Sequence, residues 1–137
     1  MNLSPAMLAA APHRLLFFAG AGNVLLAMAW WAAWLCSARG WLPPIPQPNY
    51  PAGWMHALVM QYQVLPPFIF GFLLTVFPRW MNQPALTRWH YLPVGLGLLG
   101  GQVLTLAGLA GFPALLHAGA VLGIAGWALG FGFLLRL

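Results

Sequence analysis

The fold of this chain is decided by residues 15–38, which read LLFFAGAGNVLLAMAWWAAWLCSA between Arg14 and Arg39. These 24 residues carry no charge and become rich in tryptophan toward their end. An α-helix needs about 20 apolar residues to cross the hydrocarbon core of a bilayer, and tryptophan is enriched where such helices leave it. The stretch therefore predicts a transmembrane helix.

The rest of the chain has the same character. Of its 137 residues, 62% are hydrophobic and 4% are charged, with five arginines and no aspartate or glutamate. Soluble proteins carry about 25% charged residues, so a water-soluble core of this size would lack a polar surface. Five scattered arginines form no basic patch. The composition excludes a soluble enzyme, a disordered tail and a nucleic-acid-binding protein, and indicates an integral membrane protein.

The absence of carboxylates and the presence of only one thiol restrict the chemistry further. Without acids there is no paired-carboxylate mechanism, no carboxylate-bridged metal site and no Ser-His-Asp triad. The single cysteine, Cys36, excludes an internal disulfide, a CxxC redox pair and a covalently attached haem. Four histidines, a few amides and hydroxyls, and methionine sulfur remain to carry function.

Three more spans follow from the spacing of arginines and prolines. Five prolines after Arg39 prevent a helix there, and the 47 uncharged residues of 89–135 are long enough for two crossings. Gly111 and Pro113 supply the turn between those two crossings. We expect a single all-α domain, a bundle of four transmembrane helices with spans at about 15–38, 54–78, 91–111 and 113–135 and an outward loop over 39–53.

The arginines also predict the orientation of the bundle. With four spans, four arginines fall on one face of the membrane and Arg39 alone falls on the other. Basic residues are concentrated in cytoplasmic loops. Both termini are therefore expected in the cytoplasm, and the proline-rich loop on the outer side.

The histidines fall at two depths of this predicted bundle. His56 and His117 begin spans two and four just inside the outer face, and His13 and His90 lie at the cytoplasmic ends of spans one and three. Ionisable side chains inside a membrane mark functional sites, and imidazole is a frequent ligand of haem iron and transition metals. We expect His56 and His117 to hold one haem b or metal together. His13 and His90 are either metal ligands or interfacial residues.

Span two carries a polar stripe next to its histidine. At 100° per residue, the side chains of His56, Met60 and Gln63 lie within about 60° of one another. Met60 and Gln63 are expected to pack beside a ligand or to support it rather than to bind the metal. The stripe could bind copper or line a haem edge.

Two prolines lie in the middle of the same span. Pro66 and Pro67 have no backbone donor, so the carbonyls of Tyr62 and Gln63 lose their partners within the helix. In lipid these carbonyls need protein or water partners, and a kink with a close neighbour or a cavity is expected. Asn23, in the middle of span one, is expected to form a hydrogen bond between helices.

Glycines predict which spans pack most closely. Gly97 and Gly101 on span three are spaced for close backbone approach. A matching stripe on span four consists of Gly119, Gly123, Gly126 and Gly130. Spans three and four are therefore expected to pack together. His117 points roughly away from the stripe, which would aim its imidazole at another neighbour, span two.

Two stretches of the sequence resemble a known family. Residues 12–20 read PHRLLFFAG and residues 71–80 read GFLLTVFPRW, with His56 and Ala57 fifteen residues before the second stretch. These segments resemble the NnrS family. The resemblance implies a bacterial inner-membrane protein that binds haem and copper and is linked to denitrification and nitric oxide tolerance. It suggests His13 and His56 as ligands.

The chain also departs from the family pattern. Family members are usually about three times longer with roughly a dozen spans, so the resemblance covers their N-terminal third. Many members read His-Ala-His-Glu-Met where residues 56–60 here read HALVM, so Leu58 and Val59 replace a histidine and an acid. If helices beyond this third complete the ligand set in longer members, this chain would need to oligomerise to complete it. Copper binding would need such oligomerisation more than haem binding would.

Three functions fit the sequence, and in each the chain contacts the lipid bilayer. The first is a haem-binding membrane protein, with copper as a second metal, acting in the nitric oxide response or denitrification. The second is a non-catalytic scaffold or small subunit that packs with a partner, or with a second copy, through its glycine-rich helices. The third is one half of a dimeric transporter, which the lack of charged residues inside the membrane disfavours.

Overall fold

The computed structural model describes residues 5–46 and 50–137. Within these ranges the chain forms a one-turn helix, Pro5–Leu8, and four long helices, and no strand. The long helices are α1 (Pro12–Ala38), α2 (Ala52–Trp80), α3 (Arg88–Leu109) and α4 (Ala114–Leu134), each long and apolar enough to cross a membrane. The predicted all-α, four-span fold is confirmed, and the chain is a multi-pass membrane protein.

We name the two ends of the bundle by the predicted orientation, which stays a prediction. The outer end contains the end of α1, the start of α2 and the turn from α3 to α4, and the inner end contains the start of α1, the turn from α2 to α3 and the end of α4. At the outer end Gly111 adopts a φ of +122°, which glycine tolerates without a Cβ clash, and this reverses the chain before Pro113.

Helix α2 is interrupted by a wider turn at its centre. It consists of an α-helical segment Ala52–Val59, a π-helical turn Met60–Val64 and a second α-helical segment Leu65–Trp80. The backbone N–H of Leu65 donates to the carbonyl of Met60, five residues earlier. Because Pro66 and Pro67 follow without backbone donors, the normal pattern of bonds cannot continue here. The sequence predicted the loss of these bonds and a kink, and the chain accommodates the loss in a π-helical turn.

The closest helix pair is α3 with α4, and its interface consists largely of glycine. A Cβ added to Gly97 would lie 2.6 Å from the Cα of Gly126, and one added to Gly101 would lie 2.8 Å from the Cα of Gly123. The two backbones are therefore in direct contact, which only glycine allows. The prediction that the glycine stripe of span four packs on span three is confirmed for Gly119, Gly123 and Gly126, whereas Gly130 lies against Phe70 of α2. We call this contact the glycine seam.

Two hydrophobic clusters fill the interior, one toward each end. The inner cluster lies among all four helices and contains Leu16, Phe70, Leu74, Tyr91, Val94 and Leu98. The outer cluster lies among α1, α2 and α3 and contains Ala27, Trp30, Ala52, Val59, Val64 and Leu109. Helix α4 packs on α3 along its length and reaches α2 mainly through contacts of Gly130 and Trp127 with Phe70. Much of α4 is consequently exposed to lipid.

Candidate functional site

The outer end of the bundle holds a stack of three parallel rings around His56. The imidazole of His56 stacks on the indole of Trp31, with centroids 4.3 Å apart and planes 10° apart. Trp31 in turn stacks on Trp34, with centroids 5.1 Å apart and planes 7° apart. The two tryptophans lie three residues apart on α1 and so share a face of that helix. This stack fixes the plane of the His56 ring.

His56 has an unused polar atom inside this cluster. Its Nδ1 is buried and has no hydrogen-bond partner within the described ranges 5–46 and 50–137. A buried polar atom without a partner costs about 1–3 kcal/mol. The ring as a whole is half-buried, and Met60, one turn later on α2, packs against the same outer cluster. An imidazole with a fixed plane and an unpaired nitrogen is a group ready to accept a metal or a hydrogen bond.

His117 lies at the same end of the bundle but has different surroundings. Its neighbour Leu116 packs against the outer cluster, whereas His117 itself is exposed on α4. The glycines of α4 face α3, and the opposite side of the helix at this level faces lipid. His56 stacks on Trp31 of α1, whereas His117 is exposed on α4. That His56 and His117 hold one cofactor together stays a prediction.

His13 and His90 lie at the inner end, and each is bonded to a threonine. The backbone N–H of His13 donates to Thr75 Oγ1 over 3.1 Å, and the same hydroxyl lies 3.4 Å from His13 Nδ1. His90 Nδ1 lies 2.9 Å from Thr87 Oγ1. These contacts tie the first turn of α1 to α2 and close the first turn of α3. Both histidines thus have structural partners.

His13 and His56 lie far apart along the bundle. Trp31, which stacks on His56, is 18 residues after His13 on the same helix. At about 1.5 Å per residue this separation is about 27 Å along the axis of α1. The two residues that the family resemblance suggested as ligands therefore belong to different ends of the molecule.

Gln63 belongs to a polar network in the interior of the bundle. The side-chain amide of Asn23 donates to the backbone carbonyl of Gln63 over 2.8 Å, and Gln63 Nε2 donates to Thr105 Oγ1 over 2.8 Å. Gln102 Nε2 donates to the backbone carbonyl of Asn23 over 2.6 Å. We call these four residues the amide cluster. The π-helical turn after Val59 widens the helix, so the position of Gln63 relative to His56 differs from that in a regular α-helix.

Asn23 of the amide cluster and Trp127 of α4 provide partners for the two carbonyls that Pro66 and Pro67 leave unpaired. The carbonyl of Gln63 accepts from Asn23, and the carbonyl of Tyr62 accepts from Trp127 Nε1 over 3.1 Å. Both predictions, a protein partner for these carbonyls and an interhelical bond from Asn23, are confirmed. Each partner comes from a different helix, Asn23 from α1 and Trp127 from α4, so the π-helical turn is held from two sides.

Sequence reasoning missed several of these residues. The sequence indicates Trp31 and Trp34 as interfacial residues, and their spacing of three, which places them on one face, is the signal for the stack. The signal for Gln102 and Thr105 is two polar residues three apart in a long uncharged stretch. Among the described residues, no group of three or more His, Cys, Asp or Glu side chains is close enough to hold a metal ion.

Comparison with known proteins adds one finding. No curated protein and no solved structure matches the chain. The model of one protein family, described as NnrS protein, matches residues 7–136, which is nearly the whole chain and includes all four helices and all four histidines. The match extends well beyond the two short segments that suggested it. The chain belongs to the NnrS family.

Proposed function

We propose that this chain is a haem-binding protein of the bacterial inner membrane that acts in the response to nitric oxide. Its membership of the NnrS family supports this role. The observation that carries the proposal is the imidazole of His56, which is stacked on Trp31 and keeps a buried Nδ1 without a partner among the described residues. Such a nitrogen fits a metal ligand better than a packing residue.

The residues around His56 fit a haem. Imidazole is the most familiar protein ligand of haem iron, and cofactor sites are lined mainly by apolar and aromatic side chains. Trp31 and Trp34 supply aromatic surface here, and Val59 and Met60 supply apolar contacts in the same cluster. When bound, haem supplies an iron centre that binds diatomic gases such as nitric oxide.

The protein's own part in this function is to hold and shield the imidazole. The stack on Trp31 restricts rotation of the His56 ring, and the outer cluster keeps water away from Nδ1. The surrounding bilayer concentrates an uncharged, apolar gas. Because His117 is exposed on α4, His56 alone would hold a haem in each chain, and the haem iron would supply the binding site for the gas.

The residues present do not complete a copper site. His56 and Met60 offer one imidazole and one thioether, which suit copper, but the described residues bring no cluster of three His, Cys or acidic side chains to that place. Copper would require ligands from a second copy or a partner subunit.

The test is spectroscopy of the purified protein with metal analysis. Reduced-minus-oxidised spectra and iron and copper contents are measured for the wild type, His56→Ala and His117→Ala. We expect a Soret band and bound iron in the wild type, loss of both in His56→Ala, and retention in His117→Ala. His117→Ala is the matched control because it removes the same side chain at the same end of the bundle, from an exposed position. Haem retained in His56→Ala would contradict the assignment.

A non-catalytic scaffold is the second candidate. The observation that favours it is the exposed surface of α4, where Val121, Ile124 and Phe131 face outward. The glycines that suggested a partner are instead used within the chain, in the glycine seam. A colourless, iron-free wild type that co-purifies with a partner membrane protein, and loses it on substitution of Ile124 by asparagine, would favour the scaffold.

A further inference from the structure

The amide cluster contains three side-chain carboxamides in the middle of the membrane-spanning region. Asn23 and Gln102 are fully buried and Gln63 is 7% exposed. Asn23 is the twelfth of the 27 residues of α1, close to half-way between the two ends of that helix. Three helices therefore place amides at one depth, far from both membrane surfaces.

The hydrogen bonds of the cluster fix which way each carboxamide points. The nitrogens of Asn23 and Gln102 each face a backbone carbonyl, which only accepts. The nitrogen of Gln63 faces Thr105 Oγ1, whose own hydrogen is donated to the carbonyl of Gly101 over 2.8 Å. Each of the three contacts thus needs a donor, so nitrogen occupies that position and oxygen the other.

Much of the hydrogen-bonding capacity of the cluster remains unused. Asn23 Oδ1, Gln63 Oε1 and Gln102 Oε1 are buried without a partner in the described part of the chain. Each carboxamide nitrogen also carries two hydrogens, and the bonds above use one of them. An unpaired buried acceptor destabilises the fold, and the bilayer core offers no bulk water to pair with it. Three such acceptors in one network point to a missing partner.

We propose that the amide cluster binds internal water at the midplane of the membrane. Water donates to the unpaired carboxamide oxygens and accepts from the remaining carboxamide N–H groups. It can therefore pair with both the acceptors and the donors that lack partners. Buried waters typically make about three hydrogen bonds to groups that otherwise lack partners. The three carboxamides of Asn23, Gln63 and Gln102 supply these groups.

A bare metal cation suits the cluster less well than water does. A cation would satisfy the oxygens but would be repelled by the free N–H groups. The chain has no aspartate or glutamate to balance the charge, and an uncompensated charge at the centre of a bilayer costs several kcal/mol. The neutral ligand therefore fits the neutral site.

Water-edited solid-state NMR of the labelled full chain in lipid vesicles tests the proposal. Polarisation transferred from water is expected to reach the side-chain amides of Gln63 and Gln102 about as fast as that of Gln83, which is exposed in the loop between α2 and α3, and several-fold faster than the methyl groups of Leu98, which is buried and apolar. Transfer to Gln63 and Gln102 no faster than to Leu98 would show a dry cluster and overturn the proposal.

Two further arms separate water from the alternatives. Replacing sodium and potassium chloride by choline chloride is expected to leave the amide signals unchanged, and shifts that follow either metal ion would overturn the proposal in favour of a cation.

Gln63→Met removes the carboxamide at similar volume and is expected to slow transfer of polarisation from water to Gln102. Gln61→Met, on the same π-helical turn, is the matched control and should not. Equal transfer in both variants would show that the cluster does not hold the water.

Discussion

The glycine seam and the amide cluster hold the same bundle together in opposite ways. In the seam α3 and α4 meet backbone to backbone, with the Cα of Gly126 in the place where a side chain on Gly97 would start. In the cluster α1, α2 and α3 meet through the side chains of Asn23, Gln63 and Gln102, which reach across to carbonyls and a hydroxyl. A side-chain atom added at Gly97 would disrupt the first contact, and a donor removed at Asn23 would weaken the second.

The two kinds of contact join different sets of helices, and the candidate ligand His56 lies on α2, outside the glycine seam. The glycine seam involves α3 and α4, and both helices are regular where they meet. Helix α2 departs from regular geometry at Met60–Val64, which begins four residues after His56. Such π-helical turns are frequent at functional sites. The candidate ligand therefore lies on the helix that depends on side-chain partners rather than on close backbone packing.

Adding one methyl group to the glycine seam is expected to give the largest loss of stability. In Gly97→Ala the new Cβ would lie 2.6 Å from the Cα of Gly126 and 2.9 Å from its backbone nitrogen. Backbone atoms cannot rotate away, so we expect a loss of about 3 kcal/mol, near the top of the usual range for overpacking. The free energy of unfolding is measured by titration with sodium dodecyl sulfate from mild detergent, with helical circular dichroism as the signal.

Gly123→Ala is the matched control for this variant. Gly123 belongs to the same stripe on α4, but a Cβ added there has no heavy atom within 4 Å. Because alanine favours a helix over glycine by up to about 1 kcal/mol, Gly123→Ala should be neutral or slightly stabilising. Equal stability of the two variants would mean that α3 and α4 are not in direct backbone contact.

The sequence predicted those features that depend on the order of residues along one helix. Three long charge-free stretches between arginines predicted four spans, because the length needed to cross a bilayer is fixed and residues 89–135 are long enough for two crossings. The spacing of Gly97 and Gly101 gave the seam, since residues four apart lie on one face. Pro66 and Pro67 gave the unpaired carbonyls because a missing donor is a property of proline alone. The structure supplied partners for both carbonyls, from Asn23 and Trp127.

What the sequence did not predict depends on which helices are neighbours. The depth of His56 and His117 could be read from their positions, but depth does not say which helix each one faces. Helix α4 reaches α2 chiefly at Trp127 and Gly130, toward the inner end, which leaves His117 exposed. The stacking of His56 on Trp31 depends in the same way on α1 lying next to α2.

Removing a donor from the amide cluster is expected to have the second largest effect. Asn23→Leu keeps a similar volume but leaves the backbone carbonyl of Gln63 without its partner. We expect a loss of about 1–2 kcal/mol, since interhelical hydrogen bonds in membranes contribute about 0.6–2 kcal/mol and an unpaired buried acceptor adds to the cost. The same detergent titration measures it, and Gln61→Leu, at an exposed position, should change little.

A second substitution tests whether proline creates the need for Asn23. Pro67→Ala restores the backbone N–H that can donate to the carbonyl of Gln63, four residues earlier. In that background Asn23→Leu should cost less than in the wild type, with a coupling energy of about 0.5 kcal/mol or more. Fully additive losses would show that the Asn23 bond and the proline are independent.

Among the single substitutions, the smallest expected loss of stability comes from changing Trp127, the partner of the Tyr62 carbonyl. Trp127→Phe keeps an aromatic ring against Phe70, now 5.4 Å away in an edge-on contact, but removes the Nε1 donor to Tyr62. Because Trp127 is only partly covered by protein and the bond is 3.1 Å long, we expect a loss of about 0.6 kcal/mol, the average for hydrogen bonds between membrane helices. The loss should shrink in Pro66→Ala, where the new backbone N–H can donate to the carbonyl of Tyr62, four residues earlier. An effect of Trp127→Phe larger than that of Asn23→Leu would reverse the order proposed here and place the main support of the π-helical turn on α4.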